Sequence, residues 1–190
     1  MKRPIPSLLT SGVLAATFFL IAFSVLLGAQ QSPSPTIEAR DAALKKLAYF
    51  VGSWTMNGHV KLPQVLGPPR EITLHQHCEW LTPESFVVCH GDSAGAGRST
   101  SGLLILGYNP NDKAYTYDEY NSSGAAEHLT GTFEGDTWTW TSDEKTFAGQ
   151  VTKTLRFGIL SPTSYSFKYE EFSRELNWGI AMEGKAIKGQ

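Results

Sequence analysis

From residue 51 onward, apolar and polar side chains alternate along short runs. In Thr137-Trp138-Thr139-Trp140-Thr141 and Ser164-Tyr165-Ser166-Phe167-Lys168-Tyr169, every second residue is aromatic. A period of two puts the apolar set on one face of a strand and the polar set on the other. Runs of this kind predict strands over 51–61, 70–81, 86–92, 101–109, 113–121, 125–134, 136–142, 149–160, 163–172 and 176–188. Turn-forming clusters separate them, among them Leu66-Gly67-Pro68-Pro69, Thr82-Pro83-Glu84-Ser85, Asn109-Pro110-Asn111-Asp112 and Glu134-Gly135-Asp136. Residues 37–50 depart from the pattern: Ala43, Leu44, Leu47 and Phe50 recur at helical spacing and predict one amphipathic helix. Sequential strands with short turns and no helical crossovers predict an antiparallel meander, and a sheet this long removes its edges by closing. The expected fold is therefore all-β, an antiparallel up-and-down β-barrel of about ten strands with one short N-terminal helix. An outer-membrane barrel would carry an apolar outer band, whereas Ser164, Ser166, Lys168 and Glu170 form a polar face.

The N-terminus adds a second kind of pattern. Lys2 and Arg3 precede a charge-free apolar run from Val13 to Leu27, followed by Gly28-Ala29 and the stretch QQSPSPT. This is the layout of a secretory signal peptide over residues 1–29, a flexible linker over 30–36 and one domain over 37–190. Leu27 is larger than the small residue a cleavage site favours, so retention as an anchor is the alternative. The reading places the protein in the secreted or periplasmic space, with no membrane partner after cleavage. A formal net charge of −2 and the lack of a basic stripe argue against a nucleic-acid partner.

Cys78 and Cys89 are the only cysteines. If the turn at Pro83-Glu84 pairs Thr82 with Ser85, the two lie directly opposite on neighbouring strands, within reach of a disulfide, which export would favour. The same register gathers Leu74, Cys78, Trp80, Val87 and Cys89 on an apolar face. On the other face it sets His77 opposite His90 and His75 opposite Asp92, with Glu79 beside them. His75, His77 and His90 are thus candidate ligands for a divalent metal such as zinc. A solvated polar face is the plainer reading, because no His-x-x-x-His or Cys/His spacing supports a metal, and no cofactor is expected.

Gly91-Asp92-Ser93-Ala94-Gly95 matches G-x-S-x-G, the nucleophile elbow of α/β-hydrolases. That elbow needs a helix after the serine and helical crossovers in a parallel sheet. Here Ser93 is followed by AGAGRSTSG, no HGGG-type oxyanion segment precedes it, and His128 is the only histidine downstream. The segment is read as a glycine-rich loop between strands, and the protein as a binding protein rather than an enzyme. A hydrolase using Ser93, or a metal held by the three histidines, is the lesser alternative.

The aromatic rows point to a binding interior. Trp138 and Trp140 share a face, as do Tyr165, Phe167 and Tyr169, and Trp178, Ile180 and Met182 form a third apolar row. Each alone is ordinary core. Together they describe a cup for a small apolar or amphipathic ligand, with Trp54, Trp80, Tyr117, Trp138, Trp140, Phe167 and Trp178 as the candidate lining. A filled-core interaction module, tethered by residues 30–43, is the alternative.

Phe50-Val51-Gly52-Ser53-Trp54 carries G-x-W after a short helix and resembles the opening of the calycins, the lipocalin and fatty-acid-binding superfamily. The ordered set FVGSW, CEWLTPESFVVC, GLLILGYNP, KAYTYDEYNSSG, LTGTFEGDTWTW and MEGKAIK resembles a family of exported bacterial proteins with a calycin-like barrel and no assigned function. The resemblance spans Leu44 to Lys188. It implies that Trp54 plugs one end of the barrel. Many lipocalins cover that tryptophan with an arginine from the last strand; here Lys185 or Lys188 is the nearest counterpart.

Overall fold

The computed structural model describes residues 37–63, 67–81, 85–95, 98–147 and 149–189. The expected signal peptide and linker lie outside these residues. A helix, α1 (Ile37–Leu47), runs into a single 3-10 turn at Ala48–Phe50. Ten strands follow: β1 (Gly52–Lys61), β2 (Arg70–Leu81), β3 (Phe86–Gly95), β4 (Arg98–Asn109), β5 (Ala114–Asn121), β6 (Ala126–Glu134), β7 (Thr137–Thr146), β8 (Gly149–Ser161), β9 (Ser164–Ser173) and β10 (Trp178–Lys188). Each pairs antiparallel with its sequence neighbours, and β1 pairs with β10 to close the barrel. The period of two was sufficient to predict this architecture because closure leaves each strand one inner and one outer face.

Three strands extend beyond expectation: β4 begins at Arg98 rather than at 101, and the other two are β7 and β3. β7 continues past Ser142 to Thr146, and the GDSAG segment is not a loop. It completes β3, with Leu74, Ser93 and Thr100 in one cross-strand row. Glycine, alanine and serine have low strand propensity, but β2 and β4 flank the segment and take up its backbone hydrogen bonds, so tertiary pairing overrides propensity.

The expected hairpin register holds. Cys78 pairs with Cys89, His77 with His90 and His75 with Asp92. The cysteines form a disulfide with Cα atoms 3.9 Å apart.

Helix α1 seals one end of the barrel. Ala43, Leu44, Leu47 and Phe50 are buried. The Tyr115 hydroxyl donates to the Ala43 carbonyl, and the Tyr49 hydroxyl reaches the carbonyls of Ser161 and Ser164 in the turn joining β8 to β9. Trp54 plugs this end, its indole N–H donating to the Phe50 carbonyl at 2.7 Å. Lys188 places its ammonium 5.2 Å from the centre of the Trp54 ring, as a cation–π cover. Lys185 is exposed, because its strand position pairs with Ser166 on the outer face. Above the plug, Phe50, Tyr115, Trp138, Trp140, Phe157 and Tyr165 fill the sealed half with ring-to-ring contacts. Trp138 and Trp140 stack at 5.4 Å and are fully buried. Gly58 and Gly184 face each other across β1 and β10, and the Phe167 ring lies over both, where a Cβ would collide with it.

Candidate ligand cavity

The barrel is hollow where its inward residues are small. Starting from inward Cys89, alternation turns Gly91 and Ser93 into the interior, and their partners on β4 are Gly102 and Thr100. The opposite wall carries Leu155 and Phe157 from β8 and Phe167 from β9. Between them lies a cavity of ≈ 350 Å³. Met56, Leu74, Leu104 and Met182 are among the remaining apolar lining, while Gln76, Glu119 and Asn121 add polar groups. The G-x-S-x-G residues therefore hollow the barrel, since bulk at Gly91 or Ser93 would project into this space.

The seven aromatic candidates separate by position. Tyr117 and Phe167 line the cavity. Trp140 packs behind it, 5.7 Å from Tyr117 and 5.3 Å from Phe157 by ring centres, and Trp138 lies against Tyr115 in the filled half. Trp54 is the plug. Trp80 is half-buried against the core, and Trp178 lines a separate depression with Phe147 and Leu176 between the ends of β7, β8 and β10. The lining residues that sequence reading missed, Glu119 and Asn121 above all, share the parity of Tyr117 on β5, and that alternation was the available signal.

Ser93 Oγ is 2.5 Å from Thr100 Oγ1, a hydroxyl pair on the cavity wall. The five histidines lie on the outer face. His59 pairs with Glu183 and His128 with Asp118, while His75 and His77 bond to Thr55 and Ser53. No imidazole shares a face with Ser93. His75 and His77 bond toward β1 and His90 lies on β3, so the rings do not converge. Among the described residues, no group of three His, Cys, Asp or Glu is placed to hold a metal.

The polar end of the interior is a hydrogen-bonded set. Tyr117 donates to Glu119 at 2.6 Å, and Tyr169 donates to Glu171 at 3.0 Å and to Glu127 at 3.3 Å. Lys153, with a nearly buried side chain, sits 3.1 Å from Glu127 and 3.6 Å from Glu144. Burial pushes the Glu119 carboxyl above the usual carboxylate range; the Tyr117 hydrogen bond opposes this and the Glu127 charge adds to it. Burial acts to lower the Lys153 pKa, but the hydrogen bond it donates to Glu127 and the charges of Glu127, Glu144 and Glu171 outweigh it and hold the ammonium charged. The Tyr117 hydroxyl is raised well above its ordinary value, first by burial and then by Glu119.

Solved structures share this barrel. CPES, an S-type phycobiliprotein lyase from Guillardia theta, superposes with a TM-score of 0.56 at 11% identity, over 82% of this chain and 97% of that one. Rv2717c from M. tuberculosis superposes with a TM-score of 0.55 at 14% identity, over 78% of this chain and 98% of that one. At such identities the likeness is one of fold, a ten-strand calycin-like barrel. No curated protein matches the chain in sequence. Residues 41–159 match the family described as protein of unknown function, DUF1579, and the chain belongs to that family.

Proposed function

We propose that this protein is an exported small-molecule-binding barrel that holds an apolar or amphipathic ligand in the cavity beside β3 and β4. The observation that carries the reading is the cavity itself: an apolar space with a few converging polar groups, in a barrel whose other half is packed with rings. Ligand contact falls to Met56, Leu74, Leu104, Tyr117, Phe157 and Phe167, with Trp138 and Trp140 holding Tyr117 and Phe157 from behind. The disulfide and the signal-like N-terminus support export. Ser93 receives a wall position rather than a nucleophile's role.

Gly102→Leu tests this. A Cβ at Gly102 would meet only the Tyr120 carbonyl, at 3.4 Å, so the backbone tolerates a side chain that then occupies the cavity. Native mass spectrometry of the protein purified gently from its host is expected to show an organic mass that denaturation releases. The Gly102→Leu protein, with an unchanged circular dichroism spectrum, is expected to lack it. A wild-type protein that carries no such mass and takes up no added decanol would defeat the reading.

A further inference from the structure

The wall built by β5 to β9 is charged mainly in one sense. Among the described inward-facing residues of β5 to β9, four carboxylates, Glu119, Glu127, Glu144 and Glu171, accompany one cation, Lys153. Lys153 is already bound to Glu127 and Glu144, and the Tyr169 hydroxyl ties Glu127 to Glu171. That leaves Glu119. It lines the cavity directly, pairs across the ladder with Glu127, and receives a hydrogen bond from Tyr117 on one oxygen, Oε2. Among the described residues its other oxygen has no hydrogen bond and no cation neutralises it. Of the other described inward positions, Lys188 is at the sealed end over Trp54, and Arg70, opposite Val60 at the start of β2, is exposed beside Gly67.

We infer that the cavity selects a cationic amphiphile, an amine whose ammonium group pairs with Glu119 while its apolar body lies against Met56, Leu74, Leu104 and Phe167. This rests on the cavity reading above and names the ligand class for the same site. An anionic amphiphile such as a fatty acid would bring a carboxylate to Glu119, with which no cation pairs among the described residues. The Tyr117 and Phe167 rings on the lining add aromatic surface that favours a cation over an anion. Burial already works against ionisation of Glu119, and an ammonium at hydrogen-bond distance would reverse that balance.

The test compares three probes of equal chain length, decylamine, decanol and decanoate, by titration calorimetry at neutral pH. The amine is expected to bind more tightly than decanoate by at least about tenfold, the scale of one charge-assisted hydrogen bond withdrawn from water, with the alcohol between them. In Glu119→Gln the amine should lose its advantage over the alcohol while alcohol binding persists. Decanoate binding as tightly as the amine would overturn the inference and leave the cavity reading intact, as would an amine preference unchanged in Glu119→Gln. Failure of all three probes to bind would overturn both.

Discussion

Trp140 shows what a single residue does in this interior. Its indole is fully buried among Tyr117, Trp138, Phe50 and Phe157, and its N–H has no hydrogen-bond partner among the described residues. Removing the ring should cost about 3–5 kcal/mol, the usual penalty for emptying a large aromatic site. Trp140→Phe keeps a ring and deletes the unsatisfied donor, so its cost in urea unfolding should be well under half that of Trp140→Ala. Because Trp140 stands behind the wall, decanol affinity of the folded Phe variant should change by less than about twofold. Glu119 makes a second prediction at this scale. Its carboxyl pKa is raised by folding, so the unfolded chain ionises first as pH rises, and folding stability is lost between the unfolded value and the raised one. Gln cannot ionise and can still accept from Tyr117. The urea midpoint of Glu119→Gln should therefore rise relative to wild type as the pH climbs from below the ordinary carboxylate value of 4.5 to above it; a difference that shrinks over that climb would show that the carboxylate is stabilised instead. Parity along β5 was enough to place Tyr117 inside, and the same parity places Glu119 there. What the sequence could not supply was which neighbours would leave its charge uncompensated, since strand pairing and barrel curvature alone set Glu127 opposite it and turn Lys153 to Glu127 and Glu144.

Among the elements, the β2–β3 hairpin was the most legible and the most misread. Its register followed from the Pro83-Glu84 turn, and Cys78, Cys89 and the histidines fell where that register put them. Its far end was misjudged because Gly91, Ser93 and Gly95 have weak strand propensity of their own. Their strand character comes from β4, a partner whose own start is equally poor in strand formers, Arg98 to Gly102. The disulfide spans 11 residues of sequence, and closing a loop of that size removes enough unfolded-chain entropy to be worth about 3 kcal/mol. The double variant Cys78→Ala/Cys89→Ala should lose roughly that much in urea unfolding while its far-UV spectrum still reports the barrel. A collapse of the spectrum would mean that the ladder of β2 and β3 depends on the covalent link.

For the whole molecule, closure explains both the success and the limit of the sequence reading. Ten alternating runs admit few arrangements once every edge must be paired, so the fold followed from the pattern. Whether the interior would be filled or hollow did not follow, because it depends on which inward residues meet across the barrel. Small residues on β3 and β4 face Phe157 and Phe167, while Trp138 and Trp140 meet Phe50 and Tyr165 in the other half. That division gives the protein a rigid, ring-packed base and a cavity that can vary without unsettling the base.

The seam between β1 and β10 has a consequence for how the chain is made. Trp54 finds its ladder partner in Lys188 on β10, which emerges from the ribosome after the other nine strands. Until then β1 can pair only with β2, and the growing sheet keeps two open edges to which other chains can add. Joining them closes a loop of nearly the entire domain, a non-local contact of the kind that slows folding. A chain broken off within β10 would lose Lys188 and part of the seam together, keeping most of its strands but unable to complete its barrel.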